Sequence, residues 1–108
     1  MKQVTSADFD SEVLGSKEPV LVDFYTEDCP PCRMMAPVLQ EIENEANGAF
    51  KVVKVDAASE AQLGASYRVS AVPAFFAFAN GKCVGQTVGA KSKANMKKWF
   101  EESVRSGV

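Results

Sequence analysis

The chain has 108 residues, with 12 Lys plus Arg against 14 Asp plus Glu, a net charge of −2, three cysteines and no histidine. Its 46% hydrophobic and 24% charged content is that of an ordinary globular protein. The absent histidine excludes a Ser-His or Cys-His hydrolase, and the sequence offers neither the basic stripe of a nucleic-acid binder nor the ~20 apolar residues of a membrane span. A chain of this length buries roughly two-thirds of its unfolded surface, so one domain over residues 1–108 is expected, held by its core without disulfide staples. The start, Met1-Lys2-Gln3-Val4-Thr5, has no apolar stretch behind its lysine. That argues against a signal peptide and for a reducing cytoplasm, where a cysteine pair is more often catalytic or metal-binding than structural.

Thr5 or Ser6 can cap a short first helix with Phe9, Val13 and Leu14 on one face, stopped at Gly15. Val20-Leu21-Val22-Asp23-Phe24-Tyr25 is nearly continuous in apolar and aromatic residues, the pattern of a strand covered on both faces. A helix is expected from about residues 29–31 to Asn47-Gly48. It buries Met35, Val38, Leu39, Ile42 and Ala46 and turns Gln40, Glu41, Glu43 and Asn44 to water. Pro37 inside it removes one donor and crowds the preceding turn, so a kink is expected. Residues 50–55 read as a second central strand, Ser59 as the cap of a short helix through Leu63, and residues 67–72 as the lead into a third strand. Residues 74–79 and 83–88 face each other across Asn80-Gly81, the strongest short hairpin signal. Ser92 caps a last helix whose apolar face carries Met96, Trp99, Phe100 and Val104. A strand-helix-strand crossover followed by a hairpin requires a mixed sheet. The predicted class is α/β, a central mixed β-sheet flanked by helices on both faces.

Cys29-Pro30-Pro31-Cys32 falls where the buried strand hands over to a helix. Residues three apart in a first helical turn have Cβ atoms ~5–6 Å apart, within reach of a disulfide after small adjustment. Unpaired N–H groups and about half a positive charge at the helix start stabilise a thiolate on Cys29. Cys32, one turn in, is expected to be more buried and to remain a thiol until needed. The pattern suits exchange chemistry, in which Cys29 attacks a substrate disulfide and Cys32 then attacks the Cys29 sulfur. The alternatives are an inert disulfide and a zinc half-site, but tetrahedral zinc needs four ligands and this chain would have to add a carboxylate. Neither metal nor cofactor is expected. Asp23 is a charge inside a buried strand, costly unless paired or kept protonated by a raised pKa. Kept near neutrality it can act as general base for Cys32; the alternative is an acid satisfied by Lys54, itself otherwise a solvated strand lysine. Cys83 reads as a small buried hydrophobe, with a regulatory or dimerising thiol as the alternative. Phe75, Phe76, Phe78, Trp99 and Phe100 read as core. Met34, Val72 and Ala74 read as an exposed apolar rim around Cys29, able to receive an extended peptide.

Residues 20–25 before the pair, Met35-Ala36-Pro37 after it, Lys54-Val55-Asp56, Val72-Pro73 and Asn80-Gly81-Lys82 stand in the order and spacing of thioredoxin. The chain resembles that family over essentially its whole length. The resemblance implies the thioredoxin fold and reduction of protein disulfides through a redox-active Cys29–Cys32 disulfide. Its implied partners are a thioredoxin reductase or equivalent electron donor and disulfide-containing proteins. It implies that Asp23 is the buried acid that helps deprotonate the second cysteine, Lys54 the lysine beside it, and Pro73 a cis-proline that presents backbone to substrate. A monomer without nucleic-acid or membrane partners is expected. The chain departs from the family's usual Trp-Cys-Gly-Pro-Cys, because Asp28 precedes the pair, with Glu27 before it, and Pro30 replaces glycine. A charge ~7 Å from the Cys29 sulfur is worth about 0.6 kcal/mol in water and raises the thiol pKa. Losing the tryptophan removes an aromatic platform and disfavours acidic partners. Pro30 removes an N–H and, placed before Pro31, resists the helical region, so an altered reduction potential of either sign is expected. Ala74 stands where the family usually carries threonine. Asp28, Pro30, Pro31, Met34, Val72, Pro73 and Ala74 are the predicted substrate contacts. A disulfide oxidase or isomerase, or a redox-silent binding subunit, remains as an alternative to the reductase.

Overall fold

The apolar run Val20–Tyr25 takes the middle of a five-stranded sheet in the computed structural model, which describes residues 1–107. The strands are β1 (Lys2–Gln3), β2 (Val20–Tyr25), β3 (Lys51–Asp56), β4 (Ala74–Ala79) and β5 (Lys82–Val88), in the order β1-β3-β2-β4-β5. β1 and β2 run parallel to β3, while β4 is antiparallel to β2 and β5 to β4. Both faces of β2 are covered, which is why it lacks the alternation of a half-exposed strand. Leu21 packs with Val52, Phe75 and Ala77 beneath helices α1 (Pro30–Ala46) and α3 (Lys93–Ser106), through Met35, Leu39, Ile42, Met96 and Phe100. Val20, Val22 and Phe24 pack on the opposite face with Phe76 and Phe78 and with Phe9 and Val13 from the chain's first turn. Leu63 of helix α2 (Ala61–Ser66) closes that side. Among the described residues, no helix is long and apolar enough to cross a membrane.

Several local expectations change. The first helix is a single π-helical turn, Asp10–Leu14, closed by the Gly15 N–H on the Asp10 carbonyl oxygen at 2.7 Å. A lone turn is too short for sequence periodicity to separate 3.6-residue winding from a wider one. α1 ends where Asn47 takes a left-handed φ of 50°, and it runs through Pro37 without interruption. Glu43 does not simply face water, since its carboxylate accepts the Val52 N–H at 3.2 Å. The cause is the brevity of β1, which pairs only with Val53 and Lys54 and leaves the rest of that β3 edge without a strand. Ser59 does not cap α2. Asp56 Oδ1 orders the turn instead, accepting the N–H groups of Ala58 and Ser59 at 2.9 and 3.4 Å.

The hairpin forms as expected, with Asn80 and Gly81 both left-handed at φ 55° and 77°. A register shift after the Ala77–Gly85 pair makes Val84 an extra residue opposite Phe78, a bulge in β5. Cys83, next to it, is exposed rather than buried, because it lies near the hairpin end of β5, the outer strand of the sheet. Ser92 caps α3 by accepting the Asn95 N–H at 3.1 Å. Met96 and Phe100 are buried below that helix, with Trp99 and Val104 half-buried at its margin.

Candidate active site

The chain leaves β2 at Tyr25, crosses residues 26–28 and enters α1 at Cys29, which is the N-cap residue in extended backbone. Pro30 and Pro31 occupy the first helical positions, where a missing N–H leaves no bond unmade. The expected resistance of Pro30 to the helical region is therefore not seen, since an N-terminal turn is the place in a helix that accepts proline. Cys32 supplies the first free N–H of this turn, and it points at the Cys29 sulfur, 3.2 Å away. Cys29 and Cys32 are joined as a disulfide, with Cα atoms 5.2 Å apart. Cys29 is 9% exposed and Cys32 4%, so the order of exposure is the expected one, although neither sulfur stands out from the surface.

Across from the pair, the Val72–Pro73 peptide is cis, and the Val72 carbonyl oxygen lies 3.8 Å from Cys29 Sγ. The Gly89 N–H donates to the Pro73 carbonyl oxygen at 2.9 Å and ties this segment to the end of β5. The rim holds exposed Glu27, Asp28, Pro30 and Pro31, half-buried Val72, and Met34, which is 70% exposed. Arg33 Nη1 donates to the Glu27 carbonyl oxygen at 2.7 Å and fastens the approach to Cys29. Ala74 does not belong to the exposed rim. It is 2% exposed because it sits inside β4, paired with Phe24 and Val88, with its side chain in the core. Val88, 58% exposed and in register with Ala74, takes its place at the surface. The sequence reading missed Val88; an apolar residue ending an outer strand, just before Gly89, is the signal that marks it.

Behind Cys32 a pocket of about 240 Å³ is lined by Asp23, Tyr25, Thr26, Ala36 and Lys54 among others. Asp23 is 3% exposed, and its Oδ1 has no hydrogen-bond partner among the described residues. Burial pushes its pKa up to about 7, with the Lys54 charge pulling the other way. Lys54 is the register partner of Asp23 on β3, yet its ammonium lies over the Tyr25 ring, 5.7 Å from the centroid. No ion pair joins Asp23 and Lys54 among the described residues, so Asp23 is not an acid satisfied by that lysine.

A family model described as Thioredoxin matches residues 1–102. The chain belongs to the thioredoxin family. It is 41% identical over 100 residues to Thioredoxin 1 of Nostoc sp., a match covering 93% of this chain and 94% of that protein. It is 37% identical over 100 residues to Thioredoxin C-2 of Corynebacterium nephridii, covering 93% of each. A further match, 41% identical over 92 residues, covers 85% of this chain and 20% of the Bifunctional thioredoxin reductase/thioredoxin of Mycobacterium leprae. As a thioredoxin, the protein is a protein-disulfide oxidoreductase that works by dithiol–disulfide exchange, with Cys29–Cys32 as its redox centre.

Proposed function

We propose that this thioredoxin reduces protein disulfides, with Cys29 as nucleophile, Cys32 as resolving thiol and Asp23 as proton acceptor for Cys32. The observation that supports the roles is the asymmetry of the pair. Cys29 caps α1 and receives the Cys32 N–H, while Cys32 shares a pocket with an unpartnered carboxyl. In the reduced protein the Cys29 thiolate attacks one substrate sulfur. The substrate disulfide breaks, a mixed disulfide forms, and the departing thiolate takes a proton. Cys32 then gives its proton to Asp23 and attacks Cys29 Sγ, which breaks the mixed disulfide and frees the second substrate thiol. Two electrons have passed to the substrate and the Cys29–Cys32 disulfide remains.

Substrate contacts fall to Asp28, Pro30, Pro31, Met34 and Val72, with backbone presented by Val72 at the Val72–Pro73 bond, since Pro73 has no N–H and its carbonyl is taken by Gly89; Ala74, being buried, offers no side-chain surface. Lys54 tunes Asp23 and touches no substrate. The relative that joins a thioredoxin reductase to a thioredoxin supports a reductase as electron donor. A monomeric single domain working in the cytoplasm completes the reading.

Two measurements test it. Cys29→Ser abolishes reduction of a protein disulfide, whereas Cys32→Ser still attacks but accumulates a mixed disulfide through Cys29. Release of substrate from Cys32→Ser at the wild-type rate contradicts the assigned roles. The equilibrium reduction potential decides the direction of electron flow. A value about −270 mV, the family's reference value, supports a reductant, and one about −120 to −180 mV an oxidant or isomerase.

A further inference from the structure

Lys54 has two neighbours that compete for its ammonium. Asp23 and Tyr25 lie two residues apart on β2 and so project from the same face, and Lys54 stands beside Asp23 in the parallel register. The ammonium lies over the Tyr25 ring at 5.7 Å, within cation–π range. That ring is held from its far end, because Gln3 Nε2 on β1 donates to the Tyr25 hydroxyl at 2.9 Å. The Asp23 Oδ1 meanwhile has no partner. We infer that Tyr25 is a positioning residue: its ring, braced by Gln3, holds the Lys54 ammonium and keeps it from closing an ion pair with Asp23. The inference rests on the acceptor role proposed for Asp23 and identifies what leaves that carboxyl free.

The other groups around Asp23 do not offer the same choice. Arg33, on the same pocket, donates to the Glu27 carbonyl oxygen. The N-terminal amine pairs with Glu43 at 3.0 Å. Glu27 only repels a carboxylate, Cys32 on α1 is in the disulfide, and Phe75, opposite Asp23 on β4, is apolar. Lys54 is thus the cation on this pocket whose position decides whether Asp23 is paired.

The test is a carbon-detected NMR titration of the Asp23 carboxyl in the oxidised protein and its variants. In Tyr25→Leu the carboxyl is expected to titrate at least about one pH unit lower than in the wild type, since an opposite charge at contact distance lowers a carboxyl by about 1–3 units. Tyr25→Phe, which keeps the aromatic face but loses the Gln3 brace, falls by less than Tyr25→Leu. Adding Lys54→Met to Tyr25→Leu removes the fall. An unchanged midpoint in Tyr25→Leu, an equal fall in Tyr25→Phe, or a fall that survives Lys54→Met overturns the inference. The wild-type protein provides a readout that needs no variant to fold: the Lys54 ε-methylene protons resonate upfield under the Tyr25 ring, and random-coil shifts there overturn it as well. The pH dependence of turnover in Asp23→Asn tests the acceptor role by itself and leaves these titrations untouched.

Discussion

Asp23 works against the stability of the fold that holds it. Its carboxyl is 3% exposed, and burial lifts its pKa from 3.8 to about 7. Well below pH 3.8 the group is protonated in both folded and unfolded chains, so it adds no ionisation penalty. Between about pH 4 and 7 the unfolded chain ionises while the folded one resists, and the penalty grows until it is complete above about pH 7. A gap of about three pKa units corresponds to on the order of 4 kcal/mol. Asp23→Asn is therefore expected to raise the unfolding free energy of the oxidised protein at pH 8 and to flatten its decline from pH 4 to 7. Urea unfolding at pH 4, 6 and 8 checks this, and equal stability of the two proteins at pH 8 contradicts it. The burial of Asp23 was legible in the sequence, because a lone acid in an apolar run has little choice. Its lack of a partner was not, because the register that sets Lys54 beside it and the ring that draws Lys54 away are products of sheet pairing. Cys83 misled for a related reason: its exposure follows from an outer strand and a bulge, which are tertiary facts.

Among the elements, those specified by nearby residues were legible and those specified by a neighbour were not. β2, the Asn80-Gly81 hairpin and the Ser92 cap each carry their cause within a few residues. Pro30 and Pro31 are tolerated because α1 begins on them, where the sequence also places its start, at residues 29–31. Glu43 is the clearest case of the second kind. From its own helix it reads as solvent-facing, yet it serves a strand by covering the Val52 N–H that two-residue β1 leaves open. Glu43→Ala is expected to lower stability by about 1–2 kcal/mol, the usual range for a partly buried donor left without its acceptor. The loss should appear as a lower urea midpoint at unchanged slope, with faster amide exchange at Val52. Exchange at Val52 as slow as in the wild type would show that the carboxylate does not protect it.

For the whole molecule, the net charge of −2 says little, and the placement of charge says more. Glu27 and Asp28 put exposed negative charge on the lip of the redox site, where the family's usual motif has tryptophan before the first cysteine. One charge at ~7 Å is worth about 0.6 kcal/mol in water, or about threefold in rate. Exchanging a flanking lysine for glutamate reverses the sign of that interaction, a change of about 1.2 kcal/mol, so disulfide peptides flanked by lysine should be reduced about sevenfold faster than the same peptides flanked by glutamate. The preference should shrink toward unity at 1 M salt and in Asp28→Asn, and a preference indifferent to both would locate it elsewhere. The burial of the pair has a different consequence. With Cys29 9% exposed and Cys32 4%, a substrate sulfur must travel inward to be attacked in line. Bonds packed inside a folded partner cannot make that journey, however oxidising they are, while bonds on hinges and projecting loops can. Shape therefore sorts disulfides before potential does, and a partner exposes itself to reduction by loosening the segment that carries its bond.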